Sequence, residues 1–199
     1  MPSDQTRSAI LAAAERLYAD RGFGDVTLRD IVAEANVNLA AVNYHFGSKD
    51  DIVEAVVEEA IEGLVEAITA RSTRLPDPEE AAIVPLRRFV RLAYDDPDFA
   101  GLLVNLERAD AIFEHAVLPF AVRELERGIR EGVFEIPDVG IAVTAVIGGA
   151  LAIMRRILAG QLPPDADAAH AESVLRSFGI EGARAHEVAT RPLPELELP

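Results

Sequence analysis

Lys49 is the only lysine among nineteen basic residues; the other eighteen are arginines. It stands in the run NYHFGSKDD, after Ser48 and before Asp50 and Asp51. A serine here caps a helix with Asp51 in the reciprocal capping-box position, and the unpaired N–H groups of a helix start attract anions. A lysine in that first turn opposes the helix dipole, so its flexible point charge reads as a grip on phosphate. The residues just upstream extend the same chemistry. Asn38, Leu39, Ala40 and Ala41 would begin a short helix, small enough for close approach to base edges and able to touch thymine methyls. Asn43, Tyr44 and His45 supply amide, hydroxyl and imidazole donors for sugar–phosphate oxygens, and Thr27 and Arg29 are spaced to reach the opposite strand's backbone.

Four helices must position these groups. Ile10, Ala14, Leu17, Tyr18 and Arg21 recur at helical spacing until Gly22 and Gly24. Thr27, with Asp30 three residues on, caps a second helix whose apolar face is Leu28, Ile31, Val32 and Ala35. Asn36 marks a tight corner, since asparagine tolerates the left-handed backbone. Asn38 caps a third helix that Gly47 ends. Ser48 caps a long fourth one, apolar at Val53, Val57, Ile61, Leu64 and Ile68. Capped helices joined by a tight corner describe a helix-turn-helix.

Further helical periodicity runs over 79–95, 98–112, 115–131, 138–160 and 166–178, broken at GVFEIPD and PPDAD. The expected fold is all-α: a helix-turn-helix domain over 1–50, a helical ligand-binding and dimerisation domain over 51–180, and a loosely ordered tail over 181–199. The sixteen-residue apolar run Val139–Met154 falls short of the roughly 20 residues that span a bilayer. It reads as a buried helix. Neither that run nor the charged N-terminus suggests a membrane partner or signal peptide, so the expected location is the cytoplasm.

The net charge of −15 sits awkwardly with a nucleic-acid partner, but residues 1–50 carry only −2 of it. The low basicity keeps a rival open, a helical protein-interaction module that does not bind DNA. An enzyme finds less support. There is no cysteine, and His45, His115, His170 and His186 lack metal-ligand spacing. No phosphate loop or nucleophile elbow is present. No cofactor or metal is expected.

The stretch TLRDIVAEANVNLAAVNYHFGSKDDIVEAV, within residues 7–60, resembles the DNA-binding domain of TetR-family transcriptional regulators. The matching features are a threonine opening the second helix, the V-N corner, YHF, then S-K and an apolar helix. Asn36 stands where that family usually has glycine, Asn38 where serine or threonine often caps, Asn43 for a frequent phosphate-holding tyrosine, and Gly47 for a common lysine. The resemblance implies a homodimer on a palindromic double-stranded DNA operator, working as a repressor that a small molecule relieves. It further implies that 138–160 and 166–178 pair with a second copy, with Val143, Val146, Gly149, Ala150, Met154 and Ile157 at the interface. The middle helices would enclose the effector. Phe89, Tyr94, Phe99, Leu103, Asn105, Glu107, Arg108, Phe113 and His115 are the candidate pocket residues.

Overall fold

The computed structural model describes residues 2–72, 75–105 and 117–194. Among these are ten helices and no strand. In chain order they are α1 (Pro2–Arg21), α2 (Leu28–Glu34), α3 (Leu39–His45), α4 (Lys49–Ser72), α5 (Pro78–Asp95), α6 (Pro97–Asn105), α7 (Leu118–Arg130), α8 (Val139–Leu158), α9 (Ala166–Ser177) and α10 (Gly182–Ala189). Glu107, Arg108, Phe113 and His115 lie outside the described residues, as does the second half of the helix expected over 98–112. The chain divides into two compact units, Met1–Ala60 and Ile61–Pro199. The division therefore falls inside α4, not at the expected 50/51.

In the first unit, Ile10, Leu11, Ala14, Leu17 and Tyr18 of α1 meet Ile31 of α2, Val42 of α3, and Ile52 and Val56 of α4. Burying each of the larger aliphatic side chains contributes about 1.5–3 kcal/mol. The helix starts are fixed locally. Thr27 and Asp30 form a reciprocal capping box. Asn38 Oδ1 accepts from Ala41 N–H at 2.8 Å. Ser48 Oγ accepts from Asp51 N–H at 3.2 Å. Asn36 is the only non-glycine with positive φ among the described residues, at 52°. Its left-handed backbone turns the chain between α2 and α3.

The second unit is built around α5, against which α6, α7, α8, α9 and α10 all pack. A buried ion pair, Arg87 Nε to Asp167 Oδ2 at 2.9 Å, ties α5 to α9. Arg91 reaches the other oxygen of Asp167 at 3.4 Å. Between α7 and α8, Gly128 admits the Phe134 ring so closely that a Cβ there would lie 2.2 Å from it.

Residues 181–194 are not the loose tail that composition suggests. Glu181 caps α10, accepting from Ala183 N–H at 2.9 Å. Arg184 pairs with Asp77 at 2.7 Å and with Glu79. Arg191 meets Asp77 at 3.1 Å. Ala185, Val188 and Ala189 are buried. The arginines of this segment answer acidic partners far back in the chain. Residues 195–199 lie outside the described residues.

Candidate nucleic-acid interface and effector cavity

Only Val42 of α3 enters the core. Most of the rest of that helix is offered outward, with Leu39 50% and Tyr44 81% exposed. Asn38, Ala40 and Asn43 are exposed beside them, and His45 is half-buried with its ring edge-on to Tyr44. The cap uses only the carbonyl oxygen of Asn38, so its amide hydrogens stay outside the cap. Thr27 and Arg29 are exposed at the start of α2. The Thr27 hydroxyl and amide both bond Asp30 and hold its carboxyl below the ordinary carboxylate range.

Lys49 makes a contact that its sequence neighbours do not disclose. Its Nζ donates to the Phe23 carbonyl at 3.0 Å, bracing the turn after α1. An ammonium carries three donors, so this bond positions the charge without consuming it. At the same helix start Ser48 Oγ accepts from Asp51 N–H and its hydroxyl donates to the Asp51 carboxylate, while the Ser48 backbone N–H donates to the Phe46 carbonyl, so the expected reciprocal box is only half formed.

Within the second unit, α4, α5, α7, α8 and α9 enclose an apolar cavity of about 110 Å³. Its walls include Leu64, Phe89, Phe120, Val143, Val146 and Phe178, and its acidic member is Glu124. Of the expected pocket residues, Phe89 lines this cavity. Tyr94 instead donates its hydroxyl to the Pro163 carbonyl. Leu103 is fully buried in the core, Phe99 is half-buried on α6, and exposed Asn105 bonds the Gly101 carbonyl of its own helix at 2.7 Å. None of these four lines the cavity. Glu124 was missed, although its signal was present: it occupies an apolar position of α7, in register with Phe120, Ala121, Leu125 and Gly128.

The expected pairing face of α8 also needs correction. Val143, Ala150, Met154 and Ile157 are buried within this chain. Val146 lines the cavity. Gly149 lies under the His170 ring, where a Cβ would sit 3.0 Å from Cε1. The outward face is the other one: Ile141, 71% exposed, with Thr144, Ala145, Gly148 and Ala152. Because α8 is apolar nearly all round, periodicity alone does not say which side faces in. At 20 residues it is long and apolar enough to cross a membrane; one face packs on α5, α6 and α7, and the other is exposed, so it is not the wholly buried helix expected.

A short, outward-facing second helix behind a tight corner, flanked by capped helix starts and cations, defines a helix-turn-helix DNA-binding head, here joined to a separate helical body. Residues 10–56 match the family model for bacterial regulatory proteins of the tetR family, and residues 77–191 match the tetracyclin repressor-like C-terminal domain. The chain belongs to the TetR family of transcriptional regulators. The transcriptional repressor Rv3405c of Mycobacterium tuberculosis is 44% identical over 55 residues, 28% of this chain and 29% of that protein. The repressor NicS of Pseudomonas putida is 30% identical over 107 residues, 52% of this chain and 49% of its own length. The chain thus matches about half or less of these curated relatives. Among solved structures, RolR in complex with resorcinol is 31% identical with a TM-score of 0.86, over 98% of both chains. RolR without ligand gives 29% and 0.82, over 96% of this chain and 100% of that one.

Proposed function

We propose that two copies of this chain hold a palindromic operator as a repressor and release it when a small molecule fills the cavity. The observation that carries this reading is one chain bearing both an outward reading helix, α3, and an apolar cavity walled by Phe89, Phe120 and Phe178. Asn38, Leu39 and Ala40 would meet base edges; Thr27, Arg29, Asn43, Tyr44, His45 and Lys49 would meet the backbone. Two-fold symmetry would place two such helices about one turn of DNA apart. The exposed face of α8 at Ile141, Ala145, Gly148 and Ala152, beside Ser173 and Ser177 of α9, is the surface offered for pairing. α4 starts at Lys49 and contributes Ile61 and Leu64 to the cavity. A ligand there would act only through its different affinity for the DNA-competent and released states. The resorcinol bound by RolR, a one-ring diphenol, is the first candidate by size. The working place would be the cytoplasm, beside the chromosome.

The test is a gel shift on DNA from the chain's own upstream region, across a salt series, with and without resorcinol. Retarded DNA that weakens with salt and is freed by the ligand is the expected result. Failure at every palindrome would favour a protein-interaction module. Lys49→Ala should weaken binding to every sequence and make the salt slope shallower by about one unit. An unchanged slope would leave Lys49 as a brace for Phe23 alone.

A further inference from the structure

Glu124 is 5% exposed and lines the cavity from α7. Its Oε1 accepts from Arg123 Nε at 3.3 Å. Its Oε2 lies 3.3 Å from Arg127 Nε, an ion contact without hydrogen-bond alignment. Among the described residues that buried oxygen accepts no hydrogen bond. An ionised carboxylate has about four lone-pair sites, and a buried charged acceptor left unmatched is costly. Around it stand Phe89, Phe120, Val143 and Phe178, which cannot donate.

Resting on the reading of this cavity as the effector site, we propose that Glu124 is its specificity determinant. It admits a neutral, one-ring molecule whose hydroxyl donates to Oε2. Charge decides for a hydroxyl over an ammonium: Arg123 and Arg127 already balance the carboxylate, each at 3.3 Å. A further cation would meet two like charges, whereas an O–H supplies the missing hydrogen and no charge. Size decides for one ring. The cavity of about 110 Å³ is comparable with the ~150 Å³ apolar cavity that takes up benzene.

The experiment titrates the full chain calorimetrically with phenol, anisole and benzylamine. Phenol should bind at least about tenfold more tightly than its methyl ether, the worth of one hydrogen bond to a charged acceptor. Glu124→Leu should bring the two to near parity. Glu124→Gln, which keeps a carbonyl acceptor, should retain a reduced preference. Circular dichroism confirms that each variant folds; should the leucine variant not fold, the unaltered chain and the glutamine variant decide. Equal affinity for phenol and anisole, a preference that survives Glu124→Leu, or benzylamine ahead of phenol overturns the role of Glu124 and leaves the cavity a binding site. If no probe binds, the cavity reading falls and this assignment with it.

Discussion

The head and the body are held together over different distances along the chain. In the head, the bonds that set α2, α3 and α4 join residues three apart: Thr27 with Asp30, Asn38 with Ala41, Ser48 with Asp51. In the body, Arg87 meets Asp167 eighty residues on, and Arg191 meets Asp77 across 114. The functional groups divide the same way. Those of α3 face outward on a helix that gives only Val42 to the core, whereas Glu124 works from inside an apolar enclosure. Local bonds place exposed chemistry; enclosing a cavity requires elements brought from across the chain.

The largest expected effect breaks a long-range tie. Asp167→Ala strands the buried Arg87 guanidinium and should cost about 3–5 kcal/mol, read by urea denaturation. A loss under 1 kcal/mol would mean that the body does not depend on this pair. A smaller effect concerns the head. Asn38→Ala should cost about 1 kcal/mol through the lost cap. Asn38→Asp, also a good cap, should keep that stability yet bind operator DNA less tightly, because a carboxylate cannot donate to base edges and adds negative charge beside the duplex. Equal operator affinity for the unaltered and aspartate forms would take Asn38 out of the DNA contact.

The smallest effect is an acid sensitivity of the body. Burial holds the His170 imidazole below its ordinary value of 6.5, partly offset by the Val146 backbone. The unfolded chain therefore takes up this proton at a higher pH than the folded one. The stability concerned is full above 6.5 and is lost as pH falls from there toward the depressed value. Thermal melts at pH 7.5 and 5.5 should show a smaller acid-induced drop for His170→Asn than for the unaltered chain. Equal drops would show that His170 does not contribute.

This contrast also explains what the sequence made legible. The caps at Thr27, Asn38 and Ser48 and the corner at Asn36 follow local rules, and the structure has each of them. The five helical periods of the body are also present over their described residues. What they enclose was harder to read. Among the described pocket candidates only Phe89 lines the cavity, which also draws on α4, α7, α8 and α9. The inner and outer faces of α8 are both apolar, so Val143 and Ala150 looked as fit for a partner as for the core they occupy. The segment from Glu181, with proline and charge but no sustained period, resembled a solvated tail because the charges that Arg184 and Arg191 answer, at Asp77 and Glu79, lie over a hundred residues earlier.

That last clasp bears on the order in which the protein is made. Synthesis proceeds from the N-terminus, so Asp77 and Glu79 leave the ribosome long before Arg184 and Arg191 can reach them. Everything the head needs for its own caps has been translated by then. The second unit must wait, unlatched, until Arg184 and Arg191 emerge.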